Sequence, residues 1–230
     1  MEVQPTAIIE NKTHLVRFSF YNTYAFLLTT ATITFIEAMR NPDPKIRHIL
    51  NLETVISIVA AFFYSQFVTR IQDQEKEIDY RSINITRYTD WAITTPVMLL
   101  VLVLAILYNS KAGSLPISKY VIILVLNFAM LIFGYLGEMG AISKDNGQFF
   151  GFVAFAALYG YIYYHFVRPN PIFDNRMIYW VFVFFWALYG VIYQMDDQLR
   201  NIGYNVLDLF AKCFVGIFFW AYFTKIFSLK

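Results

Sequence analysis

The chain has a single cysteine, Cys213, and only three histidines among its 230 residues. One thiol excludes a disulfide or a zinc framework built within the chain. The histidines, His14, His48 and His165, lack the spacing of metal ligands, so we expect no metal site.

Charged residues are also scarce. Asp, Glu, Lys and Arg make up 15% of the sequence, whereas hydrophobic residues make up 58% and aromatic residues 20%. This composition, with a mean hydropathy of +0.51, is too apolar for an ordinary soluble domain and indicates an integral membrane protein. The formal net charge of +2 is too small to indicate nucleic-acid binding. We therefore expect the lipid bilayer, and not nucleic acid, as a partner.

Seven apolar stretches are long enough to cross a bilayer as helices. They fall at roughly 18–39, 47–69, 85–108, 117–138, 148–167, 177–195 and 202–227. Short linkers rich in Asn, Asp, Pro and Gly separate most of them, as expected for turns. The sequence predicts an all-α, multi-pass bundle of seven transmembrane helices, with residues 1–230 forming one domain.

Basic residues are concentrated on one predicted side of the membrane. The linkers after the odd-numbered helices and the C-terminus contain Arg40, Lys45, Arg47, Lys111, Lys119, Arg168, Arg176, Lys225 and Lys230, against Asp43 and Asp174. The other side is rich in acids: Asp73, Glu75, Glu77, Asp79, Glu138, Asp145, Asp196 and Asp197. Because cytoplasmic linkers carry the excess of Lys and Arg, we expect the N-terminus outside and the C-terminus in the cytoplasm.

Several ionisable residues lie inside the predicted spans, where they are costly and usually functional. Lys212 follows Asp208 by four residues, so both lie on one helix face. With a rise of about 1.5 Å per residue, Lys212 is near the midplane of a core about 30 Å thick, and Asp90 and Asp208 lie roughly 9 Å from its outer edge. Glu53 enters from the cytoplasmic side. A lysine with a carboxylate on each side favours a vectorial proton path, provided that the lysine can change the side with which it exchanges protons.

An unmodified lysine is a poor switch, whereas a lysine joined as a Schiff base to an aldehyde chromophore is a good one. Aromatic residues suited to line a flat polyene pocket are Trp91, Phe150, Trp186, Tyr189 and Tyr193. Arg87, three residues before Asp90, adds a cation on the outer side of the charged group.

Two motifs resemble microbial (type 1) rhodopsins, and the resemblance extends over essentially the whole chain. They are Arg87-Tyr88-Thr89-Asp90-Trp91-Ala92-Ile93-Thr94-Thr95-Pro96 and Asp208-x-x-x-Lys212. The resemblance implies all-trans-retinal on Lys212, Asp90 as primary counterion and proton acceptor, Asp208 as second counterion, and Arg87 as outer gate. It also implies a hydrogen bond from Thr94 to Asp90. The implied retinal pocket contains Trp91, Thr95, Met98, Met130, Gly134, Phe150, Trp186, Tyr189, Tyr193 and Tyr64.

The chain departs from the family pattern at two positions. Val101 occupies the place where archaeal proton pumps have a carboxylate donor, and Gly190 stands where a proline is common. Glu53, at a similar depth on the neighbouring helix, is a candidate replacement for the donor, because a carboxylate buried without a partner is protonated, as a donor must be. The alternative is a glutamate hydrated from the cytoplasm.

A narrower resemblance concerns Glu37, Arg47, Glu53 and Trp220. This set is similar to the second group of viral rhodopsins from giant algal viruses. It implies a homo-oligomer, suspected to be a pentamer, and a glutamate of the second helix as the proton donor.

Together these features predict a light-driven outward proton pump and not an enzyme. A light-gated cation channel is an alternative, because Val101 removes the usual donor and some relatives conduct passively. A photosensor acting through a partner is a third possibility.

Overall fold

A computed structural model describes residues 5–73, 78–227 and 229, and all regular secondary structure in them is helical. We number the helices α1 Pro5–Arg40, α2 Pro44–Asp73, α3 Tyr80–Asn109, α4 Ile117–Met139, α5 Lys144–Val167, α6 Phe173–Ile192 and α7 Asp197–Phe223. The predicted all-α bundle of seven helices is therefore confirmed. Glu75, Glu77 and Lys230, which contributed to the predicted orientation, lie outside the described residues, as does the side chain of Asp73. We keep the predicted orientation below to name the outer and inner sides.

Six helices, α2 to α7, are long and apolar enough to cross a membrane. The first helix is the longest, at 36 residues, but its predicted span also contains Ser19, Asn22, Thr23, Thr29, Thr30, Thr32 and Thr34. Most of the serine and threonine hydroxyls among them bond to backbone carbonyls, as when Thr29 donates to Ala25, and this reduces the cost of placing them in an apolar environment. Helix α1 packs along α2 and against α7, which closes the bundle.

Several helices extend beyond their apolar stretches, because polar residues form additional helical turns whose ends are capped by side chains. At the N-termini of α3 and α7, the side chains of Asp79 and Asp196 accept hydrogen bonds from the backbone N–H groups of Ser82 and Leu199. Such caps satisfy N–H groups that have no partner within the helix. Helix α4 ends at Gly140, whose φ of 77° is a left-handed conformation that glycine adopts without strain. Hydropathy marks only the apolar part of each helix.

Two helices contain π-helical segments, Tyr163–Val167 at the end of α5 and Leu209–Phe214 within α7. The second segment includes Lys212. A π-helical turn is a local irregularity that occurs often at functional sites. Apolar clusters lie around this region: one includes Leu99, Leu102 and Phe219, and the other includes Phe20 and Phe67.

Candidate functional site

The Lys212 side chain lies between two carboxylates in the centre of the bundle. Its Nζ donates a hydrogen bond to Oδ2 of Asp90 at 2.7 Å and lies 3.5 Å from Oδ1 of Asp208. All three side chains are buried. The structure thus brings together α3 and α7 through the lysine and the two acids that the sequence placed at similar depths.

The two carboxylates differ in their hydrogen bonds. Asp208 accepts one from Tyr64 at 2.7 Å and one from Tyr189 at 2.6 Å. In Asp90, Oδ2 accepts the bond from Lys212, whereas Oδ1 has no partner among the described residues. Asp208 is therefore held by donors from two other helices, whereas Asp90 keeps one carboxylate oxygen without a partner among the described residues.

Arg87 lies on the outer side of this group and is fully buried. Its guanidinium donates hydrogen bonds to Asn201, Asn205 and Tyr64. Its Nη1 is 3.8 Å from Oδ2 of Asp208. Four rings also face the guanidinium, those of Phe20, Tyr64, Phe67 and Tyr204. These contacts hold the cation in place between Asp208 and the outer end of α7.

Thr94 makes the hydrogen bond to Asp90 that the family resemblance implies, and its acceptor is the main chain. Its hydroxyl donates to the main-chain carbonyl of Asp90 at 2.9 Å, and not to the carboxylate. A threonine in a helix commonly bonds to the carbonyl four residues earlier, and Thr95 does the same to Trp91 at 2.7 Å. Thr95 also accepts a hydrogen bond from Asn127 at 2.9 Å. These bonds fix Thr94 and Thr95 on the helix backbone.

A cavity extends from Lys212 and Asp208 between α3, α4, α5, α6 and α7. Apolar side chains and aromatic rings form most of its wall. Eight residues of the predicted pocket line it: Trp91, Thr95, Met98, Met130, Gly134, Trp186, Tyr189 and Tyr193. A Cβ at Gly134 would lie 2.8 Å from the Tyr88 hydroxyl, so a larger residue would crowd this wall.

Phe150 and Tyr64, also assigned to the pocket from the sequence, lie elsewhere. Phe150 is 43% exposed and packs on Phe133. Phe152 and Phe155 of the same helix line the cavity instead, because residues two apart in a helix point in nearly opposite directions. Tyr64 lies beside the cavity, where it bonds to Asp208 and Arg87.

The cavity and the amine fit a long, flat, apolar ligand that carries an aldehyde. The lining is mostly apolar and aromatic, as is usual for small-molecule sites. Lys212 at one end supplies a primary amine that can condense with an aldehyde. The rings of Trp91 and Trp186 line the wall and offer flat surfaces for a conjugated chain.

Glu53 lies on the inner side of Lys212. Its side chain is 2% exposed, so it is packed within the bundle and not at a hydrated surface. A Cβ placed on Gly216, one turn after Lys212, would lie 3.2 Å from Oε2 of Glu53. Val101 of α3 is also fully buried, in an apolar cluster. Along α7, Asp208 lies one turn before Lys212, and Glu53 approaches one turn after it.

Asn201 and Asn205 were missed in the sequence, although a signal was present. They precede Asp208 and Lys212 at spacings that place all four residues on one face of α7. Both amides are fully buried and bond to Arg87. A polar stripe along an apolar helix was sufficient to identify them as part of the site.

The chain matches the family model for bacteriorhodopsin-like protein over residues 14–226. Among solved structures, it is similar to viral rhodopsin OLPVRII, with 52% identity, a TM-score of 0.87, and coverage of 93% of this chain and 100% of that chain. It is 27% identical over 224 residues to the green-light absorbing proteorhodopsin of Gamma-proteobacterium EBAC31A08, covering 88% of this chain and 84% of that protein. The blue light-absorbing proteorhodopsin from Med12 has the same fold, with 24% identity, a TM-score of 0.71, and coverage of 90% and 94%.

The similarity to a viral rhodopsin confirms the resemblance that the sequence motifs indicated. Proteins of this family bind retinal and are multi-pass membrane proteins, which agrees with the apolar cavity and the six apolar helices. Since the family model covers most of the chain, this protein belongs to the bacteriorhodopsin-like family of microbial rhodopsins.

Proposed function

We propose that this protein is a light-driven outward proton pump in which all-trans-retinal is bound to Lys212 as a Schiff base. The observation that supports this most is the amine of Lys212, 2.7 Å from Oδ2 of Asp90 at the end of an apolar cavity. When bound, retinal supplies the absorption of light and the change of shape that redirects the proton on Lys212.

Asp90 is the acceptor of that proton. It accepts a hydrogen bond from Nζ of Lys212, so the donor and the acceptor are already in contact. The free Oδ1 of Asp90 imposes no second bond that favours the charged form. Asp208, which accepts hydrogen bonds from two tyrosines, is the second counterion and lies 3.8 Å from Nη1 of Arg87.

Hydrogen bonds lead from this group toward the outer side. Arg87 bonds to Asn201, which in turn bonds to Asn84 at 3.0 Å. Asn84 donates to Glu138 at 3.1 Å, and Glu138 pairs with Arg200. Arg87 is therefore connected through side chains to acids at the outer end of the bundle, which supports outward release.

Glu53 returns a proton to Lys212 from the inner side. Its burial makes the charged carboxylate costly, which favours the protonated form that a donor needs. Val101 provides no acid on α3. Glu53, approaching Lys212 from the side opposite Asp208, gives the lysine a source of protons that differs from its acceptor.

The proposal includes an assembly. Residues 1–230 act as one seven-helix retinal-binding domain that forms a homo-oligomer, and the family resemblance implies a pentamer. Native mass spectrometry of the protein in detergent or nanodiscs measures the number of copies directly. A single-chain mass under all conditions contradicts the assembly without affecting the pump.

The pump is tested by the pH of a lightly buffered suspension of cells that contain the protein and retinal. Illumination should acidify the medium, and a protonophore should abolish the change. Asp90→Asn is the matched inactive variant. Absence of any protonophore-sensitive change contradicts the proposal. Under voltage clamp, currents that reverse with the cation gradient identify a channel instead, and a slow photocycle that Glu53→Gln leaves unaltered favours a sensor.

A further inference from the structure

A groove lies at the inner end of the bundle, between α2, α3 and the linker that joins α3 to α4. Its apolar wall is formed by Ile49 of α2, Leu104 and Leu107 of α3, and Leu115 of the linker. The groove shares no lining residue with the cavity beside Lys212 within the described part of the chain. The proposed pump therefore assigns no role to it.

The charge that faces the groove is positive. Lys45 and His48 of α2 line it and are exposed, and no carboxylate lines it among the described residues. The ammonium of Lys45 also forms no salt bridge with those residues. Asp43, two residues earlier, accepts hydrogen bonds from the backbone N–H of Lys45 and from the Tyr108 hydroxyl. The groove thus offers an amine and an imidazole to an anion.

Two stripes of partly exposed apolar residues extend from the groove toward the middle of the membrane. They are His48, Leu52 and Val55 on α2, with the histidine at the inner end, and Leu107, Leu104 and Leu100 on α3. Spacings of three and four residues place each set on one helix face. The bond from Tyr108 to Asp43 fixes the inner ends of the two antiparallel helices at the same level. The stripes therefore run side by side for about 10 Å.

We propose that this groove binds an anionic phospholipid of the inner leaflet, with its phosphate at Lys45 and His48 and an acyl chain along the two stripes. Phosphate oxygens accept hydrogen bonds from an ammonium and from an imidazole N–H. Basic pockets between transmembrane helices on the cytoplasmic side are suited to anionic head groups. Phosphatidylcholine fits less well, because it carries a second cation beside its phosphate, which Lys45 repels.

The apolar wall and the base are tested by separate substitutions. Lys45→Gln removes the positive charge, and Arg176→Gln is its matched control, since Arg176 is exposed on the same side of the membrane but does not line the groove. Leu104→Trp fills the groove and leaves the charge unchanged. Its matched control is Ile122→Trp, at a position of α4 that is 42% exposed and lies outside the groove.

Native mass spectrometry of the delipidated protein, kept in the dark, measures the binding of dioleoylphosphatidylglycerol and dioleoylphosphatidylcholine. The parent should bind one phosphatidylglycerol per protomer about fivefold more tightly than phosphatidylcholine, as expected for one base near an anionic head group. Lys45→Gln and Leu104→Trp should lose this preference, whereas both controls and Lys45→Arg should keep it. Phosphatidylglycerol should also raise the midpoint of thermal unfolding of the parent more than that of Lys45→Gln, because the ligand binds the folded state.

Equal affinity for the two lipids, or equal binding of phosphatidylglycerol by Lys45→Gln and Arg176→Gln, shows only non-specific boundary lipid and overturns the inference. Displacement of the lipid by inorganic phosphate also overturns it, because that result identifies an anion site without a lipid chain. Binding to single copies but not to the oligomer shows that a second copy of the chain covers the groove, which contradicts the proposal as well. If Leu104→Trp does not accumulate, the Lys45 variants decide the question. None of these measurements uses light, so failure of the pump leaves them unchanged.

Discussion

The hydroxyl of Tyr189 donates a hydrogen bond to Oδ1 of Asp208 at 2.6 Å, which joins α6 to α7 at the centre of the bundle. Tyr64 of α2 makes the corresponding bond to Oδ2 at 2.7 Å. Asp208 is thus held from two other helices, whereas Asp90 accepts a bond from the side chain of Lys212 only through Oδ2. The two acids beside the amine therefore differ in their hydrogen bonds, and in the proposed pump Asp208 is the fixed counterion and Asp90 takes the proton.

We expect Asp208→Asn to destabilise the fold more than Asp90→Asn. Removing one member of a buried ion pair costs about 3–5 kcal/mol, and Asp208 serves Arg87, Lys212 and both tyrosines. In Asp90→Asn, by contrast, Asp208 still balances Lys212. Thermal unfolding of the two variants, followed by circular dichroism, measures the difference.

The variants Asp90→Asn and Asp208→Asn also distinguish an effect on thermal stability from an effect on proton transport. Asp90→Asn should abolish light-driven acidification while keeping most of the thermal stability. Asp145→Asn, at the outer surface, is the control for loss of a carboxylate. Equal losses of stability in Asp90→Asn and Asp208→Asn contradict the division of tasks.

Lys212→Ala should produce a protein that stays colourless after all-trans-retinal is added, because the amine at the end of the cavity is lost. Lys225→Ala, at an exposed position, should become coloured like the parent. The absorption spectrum provides the measurement, and borohydride reduction followed by peptide mass spectrometry locates the adduct.

Loss of Lys212 also leaves two buried carboxylates facing each other. Lys212→Ala/Asp90→Asn removes one of these charges and so controls for misfolding. A coloured Lys212→Ala protein, or an adduct on another lysine, removes the basis for placing retinal here.

The sequence was sufficient to predict the arrangement of site residues that lie on one helix. Asp208 and Lys212 are four residues apart in an apolar stretch, so the spacing predicted their shared face. The depth of Asp90 could also be estimated by counting residues from the end of its span. The bond from Thr94 to the main-chain carbonyl of Asp90 follows from a local rule as well, because a threonine in a helix commonly donates to the carbonyl four residues earlier.

Contacts between distant segments could not be obtained in this way. Tyr64 bonds to Asp208 across 144 residues of sequence, and no local pattern specifies that pairing. In α5, aromatic residues occur at Phe149, Phe150, Phe152 and Phe155, so periodicity did not show which of them face inward. Packing against α6 and α4 makes that choice, and it selects Phe152 and Phe155.

Packing between α5 and α6 requires a residue without a side chain at Gly190. A Cβ at this position would lie 2.5 Å from Cζ of Phe152, so α6 has a glycine where a proline is common because a ring of α5 packs against it. We expect Gly190→Ala to cost about 1–3 kcal/mol of stability through overpacking. It should also reduce the yield of coloured protein, since Phe152 lines the cavity.

Gly160→Ala is the matched control for Gly190→Ala, because a Cβ there meets nothing within 4 Å. It should be neutral or slightly stabilising, as alanine is favoured over glycine in a helix. Phe152→Leu should restore stability to Gly190→Ala. Thermal unfolding and the absorbance of the retinal-loaded protein measure both effects, and a Gly190→Ala protein as stable as the parent contradicts the packing argument.

Asp43, in the linker before α2, makes stability depend on pH. Its carboxylate accepts hydrogen bonds from the backbone N–H of Lys45 at 2.8 Å and from the Tyr108 hydroxyl at 3.0 Å. The bond from Lys45 holds the pKa of Asp43 below its usual value of 3.8. Because the folded pKa is lowered, the charged form stabilises the fold above the unfolded value, and this stabilisation is lost as the pH falls through the folded value. Asp43→Ala should therefore lower the midpoint of thermal unfolding at pH 7 and have a smaller effect at about pH 2.5.

Asp43→Asn separates the charge from the helix cap. Asparagine also caps helices but does not titrate, so its deficit in the unfolding midpoint relative to the parent reports the charge alone. That deficit should be smaller than the deficit of Asp43→Ala at pH 7 and should shrink at about pH 2.5. Comparison with the parent at each pH cancels the titration of the other acids. A deficit in Asp43→Ala that is as large in acid as at neutral pH shows that the carboxylate of Asp43 does not stabilise α2 through its charge.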